Sequence, residues 1–208
     1  MTGTFFGIGV GPGDPELLTM KAVNAIRQVD ILIAPKTEKK DGSVALNIAR
    51  PYLKEEVRIV YQVFPMVKAF EKDPAAWEAN KREILAFLKE GKNVGFLTLG
   101  DAMFFSTYIY IFRLLEKEGV PIETIPGIPA FIAIGSHLGW PIVEGNDILS
   151  IIPATADKEK IRRITEASDN VVFMKVYKNF PEIAELLQKE GMAKNAVMVS
   201  RCGLPDEE

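Results

Sequence analysis

"GIGVGPGDPELLT", residues 7–19, passes from the end of an apolar run into a helix-like pattern and places glycine at 7, 9, 11 and 13. A glycine-rich turn between a strand and a helix is the usual setting for phosphate binding by backbone N–H groups. The spacing here argues against it. In the G-x-G-x-x-G fingerprint the third glycine would be Pro12 counted from Gly7, or Asp14 counted from Gly9. No Gly-Lys-Ser/Thr follows, so the P-loop pattern fails as well. Asp14, Pro15 and Glu16 suit the cap and first turn of a helix, and two carboxylates there would repel an anion. The loop is therefore expected to be either a tight turn or a backbone wall beside a neutral or cationic group.

Outward from this stretch, short apolar runs alternate with 3.6-residue patterns. The strand candidates are "TFFGIGV", "DILIAP", "VRIVYQ", "NVGFLTLG", "IETIP", "DILSIIPA", "NVVFMKV" and "NAVMVS". Amphipathic stretches such as "PELLTMKAVNAIRQ", "PAAWEANKREILAFLKEG" and "FPEIAELLQKEG" separate them, several closed by a glycine after Lys-Glu. Such alternation predicts an α/β protein with mixed, mostly parallel sheets. A Pro- and Gly-rich segment beginning near residue 121 suggests two α/β domains, 1–122 and 123–208.

The bulk properties narrow the function classes. With 208 residues and 48% hydrophobic residues there is ample material for a core, and a net charge of −3 argues against non-specific nucleic-acid binding. The single cysteine, Cys202, allows no internal disulfide and fits a reducing, cytoplasmic setting. The N-terminus lacks a basic region before its apolar run, so no signal peptide is expected, and no apolar stretch reaches the roughly 20 residues of a membrane span. No His/Cys cluster has metal-ligand spacing, so no protein-bound metal is expected. His137, in the apolar "IAIGSHLGW", reads as a core residue.

A second stretch, "FLTLGDAMFFSTYIYIF" at 96–112, ends an apolar strand in Leu-Gly-Asp before a helical pattern. Together with "GVGPGDPELLT" upstream, "TIPGIPA" at 124–130 and "VVFMKV" at 171–176, it resembles the tetrapyrrole (precorrin) methylase family, with the motifs in the family's order. The stretches "APK" at 34–36, "GSVALNIA", "STYIYIF" and "LGWPIVEGNDILSIIPA" resemble the branch that methylates C20 of precorrin-2 or cobalt-factor II in cobalamin biosynthesis. Two departures stand out. Gly-Asp-Pro is replaced by Gly100-Asp101-Ala102, and the sequence stops at "SRCGLPDEE", where the family's pattern leads one to expect further strands completing the second domain.

The resemblance implies S-adenosylmethionine (SAM) as methyl donor, held largely by backbone groups in a cleft between the two domains, and a tetrapyrrole as small-molecule substrate. The implied cofactor contacts are Pro12, Gly100, Asp101, Met103, Phe104, Ser106, Thr107, Pro129, Ala130, Met174 and Cys202. Asp101 is the catalytic candidate, either orienting SAM or taking the proton lost from C20. On the substrate side stand Gly11, Gly13, Asp14, Lys36, Tyr108 and Lys175, with the first loop projecting towards the macrocycle; Arg50 and Arg201 are further cations for its carboxylates. Tyr108 and Tyr110 lie two apart on one helix and cannot share a face, so one of them is expected in the core. The loop "KTEKKDG" at 36–42 is a candidate cover over the substrate. The family resemblance also implies a homodimer and neither nucleic-acid nor membrane partners. Methylation at another ring position, a diphthine-forming methylase and a non-catalytic tetrapyrrole-binding module remain open as alternatives; the failed fingerprint disfavours a nicotinamide oxidoreductase.

Overall fold

A computed structural model describes residues 2–36, 42–64 and 74–208. The chain divides into two compact units, Met1–Ala130 with Arg201–Glu208, and Phe131–Ser200. In the first, strands β1 (Phe5–Gly9), β2 (Ile31–Lys36), β3 (Arg58–Val63), β4 (Val94–Thr98) and β5 (Ile122–Ile125) form one sheet in the order β3-β2-β4-β1-β5. All the strand pairings in it are parallel. β1 and β4 are buried along their whole length, which is why "FFGIG" and "VGFLT" carry almost no polar residues.

Successive side chains point to opposite faces. Phe6, Ile8, Leu32 and Leu97 pack with Ala22, Val23 and Ile26 of α1 (Met20–Gln28) and Leu46, Ile48 and Ala49 of α2 (Val44–Ala49). Phe5, Ile33, Val94 and Phe96 pack on the other face with Trp77, Ile84 and Leu88 of α3 (Pro74–Lys89) and Tyr108, Ile111 and Leu115 of α4 (Tyr108–Glu116). The chain leaves β1 towards β2 and leaves the adjacent β4 towards β5, in opposite directions along the sheet. That makes the β1/β4 pair a topological switch point, where a crevice opens beyond the carboxyl ends of parallel strands. The loops that follow β1 and β4 are the two glycine motifs.

The local sequence explains one departure from the predicted helices. Asp14 does cap a turn, its Oδ1 accepting the Glu16 N–H at 2.8 Å, but that turn is only a 3-10 segment, Pro15–Leu17. Leu18 is extended and α1 starts afresh under a second cap, Thr19, whose hydroxyl accepts the Ala22 N–H at 3.1 Å. The glycine loop therefore does not lead directly into an α-helix.

The junction expected at 122/123 coincides with the start of β5, which pairs with β1 from Phe5↔Ile122 to Ile8↔Ile125. The division falls instead at the first residue of α5 (Ala130–Leu138), and the last eight residues return to the first unit.

The second unit holds the parallel pair β6 (Leu149–Pro153) and β7 (Asn170–Met174), with α6 (Lys158–Glu166) and α7 (Phe180–Lys189). Ile152, Ala154, Ile161 and Ile183 form its core. The eighth predicted strand, "NAVMVS", does not form: Ala193–Asn195 is a 3-10 turn, and Val197 and Met198 are exposed. An apolar β-prone run becomes a strand only where a neighbouring ladder takes its N–H and C=O groups, and the β6–β7 sheet offers no such pairing here. His137, expected in the core, is exposed in the last turn of α5. Among the described residues no helix is long and apolar enough to cross a membrane.

Candidate functional site

Three motifs that are distant in the sequence meet beyond the carboxyl ends of β4, β1 and β5. The Val10 N–H continues the sheet by donating to the Thr98 carbonyl at 2.9 Å. Gly11 and Gly100 then form an isolated antiparallel bridge: Gly100 N–H donates to the Gly11 carbonyl at 2.7 Å, and Gly11 N–H to the Gly100 carbonyl at 3.2 Å. Both glycines are left-handed, with φ of 76° and 71°, a region that other residues enter only at a cost. From β5, Gly127 presses against the same place. A Cβ on Gly9 would lie 2.5 Å from the Gly127 nitrogen, and one on Gly127 would lie 2.1 Å from the Gly100 oxygen. No side chain fits between these backbones.

Gly100 itself is half-buried and less crowded. A Cβ there would find nothing nearer than the Ile128 carbonyl oxygen and Pro129 Cα, both at 3.9 Å. Around it the loop after β4 shows apolar side chains to solvent: Leu99 is 50% exposed, Met103 44% and Phe105 40%. Three large apolar side chains exposed within seven residues of a switch point mark a binding surface better than scattered exposure does. Phe105, held at φ 48°, stacks edge-on with Phe104 at 4.7 Å between centroids. Leu99, Phe105, Gly9 and Gly127 were not singled out from the sequence. The glycines in "TIPGIPA" and "GIGVG" were the available signal, but their mutual contact was not.

Asp101 lies at the centre of the junction. Its Oδ1 accepts the Met103 N–H at 2.8 Å and its Oδ2 accepts the Gly127 N–H at 3.0 Å, so one carboxylate ties the loop after β4 to the loop after β5. Ala102, where the family pattern has proline, is fully buried and anchors the turn. Ser106 is buried with its hydroxyl donating to the Ala102 carbonyl, so its side chain serves the loop's own fold. Thr107 precedes α4 and is half-buried, as are Pro129 and Ala130 beyond Gly127.

The first glycine loop is pinned rather than projecting. Gly11, Pro12 and Gly13 are buried, and a Cβ on Gly13 would lie 2.3 Å from the Cys202 carbonyl oxygen. Leu204, two residues on, packs into the core cluster of α1 and α2. The backbone at Cys202 thus touches the first loop; burial, reinforced by Glu207, pushes its thiol above the ordinary range. Asp14 is half-buried and occupied with its cap.

The remaining candidates are dispersed. Tyr108, expected on the substrate side, has its side chain in the core. It is fully buried, its ring fills the space left by Gly7, where a Cβ would lie 2.0 Å from Cζ, and its hydroxyl is 2.7 Å from Thr124 Oγ1. Burial pushes its phenol above the ordinary range. Lys36 closes β2 with its ammonium 5.9 Å from the centroid of the Tyr61 ring. Arg201 pairs with Asp206 at 2.6 Å, and Arg50 is exposed at the end of α2. In the second unit, Met174 ends β7 and Lys175 follows, exposed, with φ 60°. Lys175 therefore lies past the strand rather than interrupting it. Most of the "KTEKKDG" loop, residues 37–41, lies outside the described residues. Among the described residues no three His, Cys, Asp or Glu side chains are grouped as metal ligands.

Comparison with known proteins follows the same motifs. The family model described as Tetrapyrrole (Corrin/Porphyrin) Methylases matches residues 4–208. The cobalt-precorrin-2 C(20)-methyltransferase of Salmonella typhimurium is 37% identical over 210 residues, an alignment covering 100% of this chain and 87% of that protein. The precorrin-2 C(20)-methyltransferase of a Sinorhizobium species is 33% identical over 207 residues, covering 96% and 84%. Among solved structures, uroporphyrin-III C-methyl transferase from Thermus thermophilus, complexed with S-adenyl homocysteine, superposes with a TM-score of 0.71 at 20% identity, covering 99% of this chain and 86% of that one. With its glycine motifs assembled at one switch point and the family pattern running through it from residue 4 to 208, this chain belongs to the tetrapyrrole methylase family.

Proposed function

We propose that the protein is a SAM-dependent C-methyltransferase that adds a methyl group to C20 of cobalt-factor II or precorrin-2 in cobalamin biosynthesis. The observation that carries this reading is the left-handed backbone at Gly100, set at the switch point of a chain that aligns over 96–100% of its length, and over 84–87% of theirs, with enzymes named for C20 methylation. The residues present fit the donor. Gly100 and the 128–129 backbone leave a gap that a Cβ would partly fill, with polar backbone atoms on its edge. Exposed Met103 and Phe105, with half-buried Phe104 between them, supply apolar surface for a nucleoside base, and Pro12, Thr107, Pro129 and Ala130 belong to the same three loops. Cys202, whose carbonyl touches the first loop, completes the proposed cofactor set within this unit.

SAM, when bound, supplies a sulfonium-activated methyl group. Transfer to C20 would form a carbon–carbon bond as the S–CH3 bond breaks, leaving S-adenosylhomocysteine, and the proton lost from C20 would pass to solvent water. Holding two reactants in line lowers such a barrier by roughly 7–11 kcal/mol, whereas general acid–base help contributes about 10²–10⁴-fold. The rigid glycine junction is suited to the larger of these effects. Gly11, Gly13 and Asp14 would shape the substrate end of the site, and Lys36 is the cation proposed in this unit for the macrocycle's carboxylates. Cobalt, where present, arrives as part of the substrate.

The test is an anaerobic incubation with precorrin-2 and with cobalt-factor II, using SAM labelled in its methyl group. The expected product carries one label, which NMR places on C20. Label at another ring position, or none with either macrocycle, contradicts the proposal. A cytoplasmic homodimer is part of the same reading; sedimentation of the purified protein at twice the chain mass would agree with it.

A further inference from the structure

We infer that Asp101 is a positioning residue, the clamp that sets the Gly100 backbone, and not the acceptor of the C20 proton; this rests on the methyltransferase reading and deepens it. A general base needs an oxygen within hydrogen-bond reach of the proton it removes. Each carboxylate oxygen of Asp101 gives one of its two lone pairs to a backbone N–H, Oδ1 to Met103 at 2.8 Å and Oδ2 to Gly127 at 3.0 Å, so the plane of the carboxylate is set by the two loops and not by a substrate. Hydrogen bonds to a charged acceptor are about twice as strong as neutral ones. The two donors lie on different loops, so the carboxylate closes a link that the backbone alone does not make.

That link bears directly on the proposed cofactor contact. Gly127 is packed so tightly on the Gly100 carbonyl that a Cβ would lie 2.1 Å from its oxygen, and the same carbonyl accepts the Gly11 N–H at 3.2 Å. Fixing Gly127 therefore fixes the orientation of the Gly100 peptide between β1 and β5. The Asx turn to Met103 sets the exposed methionine at the same time. The glycines make the close approach possible and Asp101 holds it.

Two variants test this. Asp101→Asn presents one oxygen and one NH2, so one of the two N–H groups meets a donor in place of an acceptor. Gly127→Ala leaves the carboxylate intact and wedges the same junction apart. Both are expected to weaken binding of S-adenosylhomocysteine by about tenfold or more. Both should raise KM for SAM in parallel, by a larger factor than they lower kcat, and leave the shape of the kcat–pH profile unaltered. In ligand-free protein, Asp101→Asn is expected to speed hydrogen exchange at the Gly127 amide. An Asp101→Asn protein that binds S-adenosylhomocysteine like wild type but loses turnover makes Asp101 the base and overturns the inference. Wild-type affinity in Gly127→Ala overturns it too, and this holds even if Asp101→Asn does not fold. A wild-type protein that binds no S-adenosylhomocysteine contradicts the methyltransferase reading instead; the Gly127 amide then still reports whether the clamp exists, unchanged exchange refuting it.

Discussion

Each glycine of the first motif answers to a different neighbour. Gly7 makes room for the Tyr108 ring, Gly9 for the Gly127 backbone and Gly13 for the Cys202 carbonyl, while Gly11 adopts the left-handed φ that its bridge to Gly100 requires. A sequence shows that glycines are dense but not what each one lets in, so the motif was legible while its purpose was not. Tyr108 shows the same limit. Helical spacing separates it from Tyr110, but only the register Gly7↔Thr124 decides which ring turns inward. Tyr108→Phe is expected to cost about 0.5–1.5 kcal/mol of unfolding free energy by removing the hydroxyl paired with Thr124, with KM for both substrates unchanged. The pH dependence has a definite sign. The folded phenol titrates above its ordinary value of 10.0 because it is buried, so its contribution is fully present below that pH and is lost as pH rises through the folded value. Denaturant unfolding above pH 10 should therefore weaken wild type more steeply than Tyr108→Phe.

Helices and strands were legible where periodicity and burial agree. β1 and β4 read as continuous apolar runs because both faces are covered, and α1 and α2 read as amphipathic because each covers one face. The errors fall where a tertiary partner decides. "NAVMVS" has strand composition but no ladder to join, and "PELLTMKAVNAIRQ" is one periodic run in sequence but two pieces in space. Its break comes from competing caps: Asp14 starts a short turn, and Thr19 restarts the chain as α1. Thr19→Ala should destabilise the protein by about 1 kcal/mol in chemical denaturation, the ordinary value of a lost N-cap. A change within a few tenths of a kcal/mol would mean that packing of Ala22, Val23 and Ile26 alone sets where α1 begins.

For the molecule as a whole, the order of motifs was legible and their meeting place was not. Alternating strand and helix patterns imply a parallel sheet, but the order β3-β2-β4-β1-β5, which makes neighbours of the loops after β1 and β4, comes from crossover geometry. The first unit runs on to Ala130 because β5 returns to the far side of β1, and the return of residues 201–208 to it leaves no local mark in the sequence. Asp101 was singled out for its place in Leu-Gly-Asp, yet its two N–H partners could only be seen once β5 was placed. The central claim is that the glycine junction at Gly100 holds the methyl donor. Calorimetric titration of the purified protein with S-adenosylhomocysteine tests it most directly, beside Gly100→Val, which forces a β-branched side chain into a left-handed backbone and fills the gap toward Ile128 and Pro129. One-site binding by wild type, abolished in a folded Gly100→Val protein, is the predicted result. No binding by wild type, or undiminished binding by the variant, would contradict it.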